Sequence, residues 1–159
     1  MNKEKQKDFT RRITQANRTE LLVITYDILI GEIEDAEKLY ETGDIDEYRR
    51  TMKRAQRFIA ELMSTLDFTS PISAELLRLY EYVQRLLIKG DVSGKPCDTE
   101  SAKAVLSGLR SSFAKIAEGD DSAPLMENTQ SVFAGLTYGK GTLNETDLDP
   151  NAASRGFLA

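Results

Sequence analysis

The stretch IDEYRRTMKRAQRFIAELMSTL, residues 45–66, decides the fold of this chain. Its apolar residues recur at alternating intervals of three and four positions: Ile45, Tyr48, Met52, Ala55, Ile59, Leu62 and Leu66. On an α-helix this spacing places every member on one side, so the stretch predicts about six turns with one apolar stripe to bury. A stripe of this kind needs similar stripes to pack against.

The segment before it repeats the pattern. A capping box at Asn17, with Glu20 three residues on, predicts that the first helix begins there, and Gly43 predicts its end. The second helix is predicted to begin after Asp44 and to run to about Phe68. The stripe of the first helix is Leu22, Tyr26, Leu29, Ile33, Ala36 and Tyr40.

Two more helices are predicted downstream. Ser70-Pro71 predicts the start of a third helix that ends at Gly90, and Asp98 caps a fourth that ends at Gly119. The third stripe is Ile72, Leu76, Leu79, Val83 and Leu86, flanked by Tyr80 and Leu87. The fourth is Ala102, Val105, Leu106, Leu109, Phe113 and Ile116. Because the first three helices are joined by short connections, the sequence predicts an all-α, antiparallel up-down four-helix bundle.

We expect three regions: an N-terminal segment (1–16), the bundle (17–119) and a C-terminal tail (120–159). The tail holds four of the ten glycines, two of the four prolines and many asparagine, threonine, serine and aspartate residues. Six apolar residues predict one additional short amphipathic helix: Leu125, Met126, Val132, Phe133, Leu136 and Tyr138. We expect the tail to dock in or beside a groove of the bundle through the first five of them. The alternative is a disordered tail.

Composition excludes several classes of active site. The chain has a net charge of −5, no histidine, and Cys97 as its single cysteine. Without histidine it lacks Ser-His-Asp and Cys-His nucleophilic sites and the di-iron site found in helical bundles. One cysteine cannot build a cysteine-rich zinc site. We therefore expect no enzyme, no catalytic residue, no metal ion and no cofactor.

The charge balance also bears on partners and location. A net charge of −5 argues against nucleic acid as the main partner. The polar N-terminus lacks the apolar core of a signal peptide, and Asp27 interrupts the longest apolar stretch, so we expect a cytoplasmic protein without membrane insertion. One basic face is either a solvated surface or a docking patch for an acidic partner: Arg49, Arg50, Lys53, Arg54 and Arg57.

Several helical segments resemble one known family. The motifs are ELL at 20–22 with TYD at 25–27, AQRFIAEL at 55–62 with LD at 66–67, LLRLYEY at 76–82 with RL at 85–86, and the segment from Leu106 to Phe113. In this order and spacing, over about residues 9–118, they resemble the FliS family of bacterial flagellin export chaperones. The chain departs from the family pattern at two positions: Arg18 stands where the family often has a proline, and Phe113 stands where it usually has a tryptophan. The aromatic-rich N-terminal cap of the family is reduced here to Phe9 and Ile13. The forty-residue tail is a further difference, because the commonest family members lack it.

The resemblance implies a cytoplasmic chaperone that binds the C-terminal segment of flagellin. Such a chaperone prevents premature polymerisation and aids export through the flagellar type III secretion system, with the export apparatus as a further candidate partner. The working form is a monomer or a homodimer. The alternative is a non-enzymatic helical adaptor or regulatory dimerisation module with another client.

Apolar residues beyond a single core stripe are the candidates for partner binding: Leu21, Tyr26, Phe58, Met63, Leu77, Tyr80, Tyr82 and Leu87. A bundle with apolar grooves between its helices can accept an amphipathic client helix. For each candidate, ordinary packing is the alternative. The tail would either compete with the client for a groove or extend the client's binding surface.

Overall fold

The computed structural model describes residues 3–126. Within this range all regular structure is α-helical, which confirms the all-α prediction, and no strand occurs there. The five helices are α1 (Lys3–Gln15), α2 (Arg18–Glu41), α3 (Ile45–Ser64), α4 (Ser73–Ser93) and α5 (Thr99–Ala117). The region expected only as an N-terminal segment thus contains a helix of its own.

Two of the predicted helix starts are confirmed in detail. The Asn17 side chain accepts a hydrogen bond from the backbone N–H of Glu20 at 2.8 Å, and the Glu20 carboxylate accepts from the Asn17 N–H at 2.9 Å. Asp44 accepts from the N–H of Glu47 at 3.1 Å. Asp98 precedes α5 as predicted, but it adopts a left-handed conformation and makes no side-chain cap bond.

The connection between α3 and α4 differs from the prediction. α3 ends at Ser64 rather than near Phe68, which is exposed. Asp67 accepts hydrogen bonds from the backbone N–H and the hydroxyl of Thr69, so the chain turns here instead of continuing as a helix. α4 begins at Ser73, whose hydroxyl donates to the carbonyl of Asp67.

The predicted end of α4 at Gly90 is wrong. α4 continues to Ser93, and Gly94, with a φ of +64°, is the left-handed cap. Gly90 is a packing residue: the Tyr48 hydroxyl donates to its carbonyl at 3.0 Å, and a Cβ on Gly90 would lie 2.9 Å from Cε of Met52. The absence of a side chain therefore lets α3 and α4 approach closely.

Each of the four long helices packs against two others: α2 and α4 both contact α3 and α5. α1 packs along α2. The direction of the α2–α5 pair follows from its ion pairs, because Asp27 pairs with Arg110 whereas Glu37, farther along α2, pairs with Lys103, earlier in α5. The two helices therefore run in opposite directions.

The main core lies between the four long helices. Its buried residues are Tyr26, Leu29, Ile33 and Ala36 of α2, Tyr48, Met52, Ala55, Ile59 and Leu62 of α3, Leu76, Tyr80, Val83 and Leu87 of α4, and Ala102 and Leu106 of α5. Most of the predicted α3 stripe is thus confirmed. In α4 the predicted stripe is wrong in part, since Ile72 and Leu79 are exposed while Tyr80 and Leu87, predicted as flanks, are in the core.

Candidate functional site

A smaller apolar cluster lies outside the main core, between α1 and α2. Its buried members are Ala16, Ile24 and Ile28. The partly buried residues packed against them are Phe9, Ile13, Leu21 and Phe58. We call the α2 and α3 members of this cluster, Leu21, Ile24, Ile28 and Phe58, the covered patch. α1 covers it with only a few apolar side chains.

Charged side chains also hold α1 in place. Asp27 of α2 accepts from Arg12 of α1 at 2.7 Å and from Arg110 of α5 at 2.8 Å, each through its own carboxylate oxygen. Lys5 lies 3.7 Å from Asp35. If α1 moved away, Asp27 would keep Arg110 as its partner, so the carboxylate would not be left unpaired.

Two open clefts lie between α1 and α2. The first, of about 400 Å³, is also lined by Ala114 and Ala117 of α5. The second, of about 460 Å³, is lined by residues that include Phe9, Ile30 and Gly31. Among residues 4–15, α1 has no buried residue, whereas each of the other four helices has several, so α1 is attached less tightly than they are.

A second apolar surface lies along the boundary of α4 and α5, which we call the α4–α5 edge. Its exposed members are Leu79 (37% exposed), Tyr82 (38%) and Ile116 (56%), and Leu86 and Leu109 beside them are half-buried. On α4, residues 79, 82 and 86 follow i, i+3, i+7 spacing, and on α5, residues 109 and 116 are two turns apart. Each helix therefore presents an apolar row.

The two rows lie at the same level of the molecule. The ring of Tyr26 contacts both Tyr80 of α4, at 6.4 Å between centroids, and Phe113 of α5, at 5.8 Å. Leu79 follows directly before Tyr80, and Ile116 is one turn beyond Phe113. Scattered apolar residues are normal on a protein surface, but two apolar rows at the same level of adjacent helices are typical of a contact site.

Three of the predicted partner-binding residues are interior, so their assignment to an open groove needs correction. Tyr26, Tyr80 and Leu87 are at most 1% exposed. The hydroxyls of Tyr26 and Tyr80 bond each other at 2.5 Å, and burial followed by this bond raises the pKa of Tyr26 above its usual value. These side chains therefore link α2 to α4 and do not reach a partner in the folded protein.

The structure separates the other five candidates. Leu21 and Phe58 belong to the covered patch, whereas Tyr82 lies on the α4–α5 edge. Met63 and Leu77 are half-buried on α3 and α4, and Met63 packs against the main core. The prediction thus contains members of two surfaces instead of a single site.

Sequence reasoning placed the other members of the α4–α5 edge inside the core stripes. Leu79, Leu86, Leu109 and Ile116 all fit a spacing of three and four. This spacing does not distinguish the buried face of a helix from a row beside it, so the sequence held no signal that separates these residues from the core.

The predicted tail residues are only partly described. Leu125 and Met126 are each 52% exposed. The N–H of Leu125 donates to the carbonyl of Ala16 at 3.0 Å, so this part of the tail lies against the turn between α1 and α2. Val132, Phe133 and Leu136 lie outside the described residues, and their docking stays a prediction.

The basic face of α3 divides into paired and exposed cations. Arg54 pairs with Glu32 at 3.1 Å and with Glu47 at 3.2 Å, and Arg50 also pairs with Glu47. The remaining cations of this face are exposed: Arg49, Lys53 and Arg57. Pairing of this kind fits the interpretation as a solvated face.

Among residues 3–126, no group of acidic or cysteine side chains is arranged to hold a metal ion. No helix in that range is long and apolar enough to cross a membrane.

Comparison with protein families gives one match. The family model described as flagellar protein FliS matches residues 1–120. The matched range includes all five helices and ends just after α5. None of the curated proteins compared with the chain matches it.

Proposed function

The chain belongs to the FliS family of flagellar export chaperones, and on that premise we propose that it binds the C-terminal segment of flagellin in the cytoplasm. Binding would keep this segment from polymerising before export and would present the client to the flagellar type III export apparatus. We further propose that α2–α5 form an antiparallel up-down four-helix bundle, whose surface carries the binding sites.

The observation that carries this proposal is the α4–α5 edge. Leu79, Tyr82 and Ile116 form apolar rows on two adjacent helices, and an amphipathic client helix can lay its own apolar face between them. Tyr82 suits such a contact because a tyrosine ring buries apolar area while its hydroxyl stays at the polar margin.

The edge alone supports only weak binding. Fully burying a large apolar side chain contributes about 1.5–3 kcal/mol, and Leu79, Tyr82 and Ile116 are already about half buried, so each would add roughly 1 kcal/mol. A gain of about 3 kcal/mol does not offset the loss of translational and rotational freedom on association. A stable complex therefore needs a second contact with the same client.

The covered patch can provide this second contact. α1 covers Ile24 and Ile28, which are at most 7% exposed, with few apolar side chains, so a client helix with a larger apolar face could replace it. Asp27 would keep its ion pair with Arg110 after the exchange. A client that occupies both surfaces gains the high effective concentration of a tethered second contact.

A calorimetric titration with a C-terminal flagellin fragment from the same organism tests the proposal. We expect Tyr82→Asp and Ile116→Asp to weaken binding at least tenfold each, because each places a charge in an apolar contact. Ala60→Asp, which adds the same charge on an exposed position of α3, is the matched control and should bind like the wild type.

A variant that carries both Tyr82→Asp and Ile116→Asp should bind the fragment more weakly still. Wild-type affinity in this double variant would contradict a client site at the α4–α5 edge. Light scattering on the free protein distinguishes the alternative, in which the same edge joins two copies of an adaptor. In that case the wild type is a dimer, and the same substitutions convert it to a monomer.

A further inference from the structure

The residues that follow α5 are tied to the turn between α1 and α2, which consists of Ala16 and Asn17 and which we call the elbow. The Asn17 side-chain amide donates to the carbonyl of Asp120 at 3.0 Å. The hydroxyl of Thr19 donates to the Asp120 carboxylate at 2.5 Å. The N–H of Leu125 donates to the carbonyl of Ala16 at 3.0 Å.

These bonds satisfy groups that the elbow buries. Ala16 is 3% exposed and Asn17 is 4% exposed, so water has little access to their polar atoms. The Ala16 carbonyl lies at the C-terminal end of α1, where helix carbonyls lack a partner within the helix, and Leu125 supplies one. Because an unpaired buried polar group is costly, the elbow in this conformation depends on residues 120–125.

Asp120 is held as a carboxylate. Its two oxygens accept from different partners, one from the N–H of Ser122 and the other from the hydroxyl of Thr19. The hydrogen bonds from Ser122 and Thr19 lower the pKa of Asp120. Bonds to a charged acceptor are stronger than bonds between neutral groups, so Thr19–Asp120 is the central contact of this segment.

We propose that residues 120–125 act as a clamp that keeps α1 docked on the covered patch and thereby controls access to it. The elbow sets the direction in which α1 leaves α2, and the clamp fixes the elbow. Open clefts lie along the contact between α1 and α2, and α1 makes few apolar contacts, so it depends on this support. The statement about client access rests on the proposed function, whereas the statement about α1 does not.

Hydrogen exchange of the full chain without client tests the clamp. Thr19→Val removes the hydroxyl and keeps the branched shape, and Asp120→Ala removes the acceptor. In both variants we expect the amides of α1 to exchange roughly tenfold faster, as the loss of a hydrogen bond to a charged group allows. The amides of α3 should be unchanged.

Asp121→Ala is the matched control, because it removes the same charge from the neighbouring exposed residue. Wild-type exchange of α1 in both Thr19→Val and Asp120→Ala would overturn the clamp, as would an equal increase in Asp121→Ala. If Asp120→Ala fails to fold, Thr19→Val alone tests whether the clamp holds α1, since this variant keeps every backbone group and the charge of Asp120 in place.

Titration of the same variants with the C-terminal flagellin fragment tests the control of access. Thr19→Val should bind this fragment more tightly than the wild type, up to the factor by which α1 exchange accelerates. Faster α1 exchange without tighter binding would overturn the control of access. If the wild type does not bind the fragment at all, the proposed function fails, and the exchange result still decides the clamp.

Discussion

Replacing either Tyr26 or Tyr80 by phenylalanine should destabilise the protein more than replacing both. The two residues are at most 1% exposed, and each hydroxyl bonds the other. A single replacement leaves the remaining hydroxyl buried in the core without this partner. The double replacement removes both polar groups and leaves two aromatic rings of nearly the same shape.

The magnitudes follow from the cost of an unsatisfied buried group. Each single variant should lose about 1–3 kcal/mol of unfolding free energy, because the orphaned hydroxyl is cut off from water. The double variant should lie within about 1 kcal/mol of the wild type, since an apolar pair of similar shape needs no partner. The coupling energy between the two sites is then favourable and of the order of 2 kcal/mol or more.

Urea unfolding followed by circular dichroism measures these differences for the two single variants and the double variant. Tyr82→Phe is the control, because Tyr82 is exposed, and its unfolding free energy should stay within about 0.5 kcal/mol of the wild type. If the loss in the double variant equals the sum of the single losses, the hydroxyl pair is not the connection between α2 and α4 that we describe.

The remaining predictions concern stability. Gly90→Ala gains about 1 kcal/mol of helix propensity but places a Cβ 2.9 Å from Cε of Met52 and 3.2 Å from the Tyr48 hydroxyl, and overpacking of this kind costs about 1–3 kcal/mol. Thermal melting should therefore show a net loss, and Gly90→Ala should cost less when it is introduced into the Met52→Ala variant than when it is introduced into the wild type. Burial raises the pKa of Tyr48 to about 12. The folded state disfavours its ionisation, so the unfolding free energy should fall as the pH rises from about 10 to 12. Tyr48→Phe should make that fall smaller without removing it, because burial also raises the pKa values of Tyr26 and Tyr80. Asn17→Ala should lower the unfolding free energy by more than the ~1 kcal/mol of a lost helix cap, because it also breaks the hydrogen bond to Asp120. Asp44→Ala removes only a cap and should cost about that amount. Equal losses of the two variants in denaturant unfolding would contradict this difference.

Local signals predicted the positions of the helices well. The caps at Asn17 and Asp44 depend only on residues three positions apart, and the α3 stripe depends only on helical periodicity. Both signals lie within one segment of sequence, so these helices could be predicted without knowing which other helices pack against them. The prediction that α4 ends at Gly90 was wrong because a glycine near a helix end can serve either as a cap or as a site of close packing. Gly90 is a packing residue, and its neighbours Tyr48 and Met52 belong to another helix.

The rotation of α4 about its axis could not be predicted from its own sequence. Leu79 and Tyr80 both fit an apolar spacing of three and four, and either could face the core. Tyr80 faces the core, where its hydroxyl bonds that of Tyr26, a residue 54 positions away in the chain. With Tyr80 turned inward, Leu79 is left at the surface, and the α4–α5 edge results.

The docking of α1 and the contacts of the elbow could not be predicted from the sequence for a related reason. α1 is rich in charged residues, and its two apolar side chains, Phe9 and Ile13, have a packing partner only where α2 provides the covered patch. The contact of Thr19 with Asp120 joins residues 101 positions apart. No periodic pattern marks such a pair.

The most direct test of the account maps the flagellin contact on the labelled chaperone by nuclear magnetic resonance. On addition of the C-terminal flagellin fragment, we predict the largest shifts at Leu79, Tyr82 and Ile116, and a second group of shifts at Leu21 and Phe58 as α1 is displaced. Shifts confined to the exposed cations of α3, with the α4–α5 edge and the covered patch unchanged, would contradict the account.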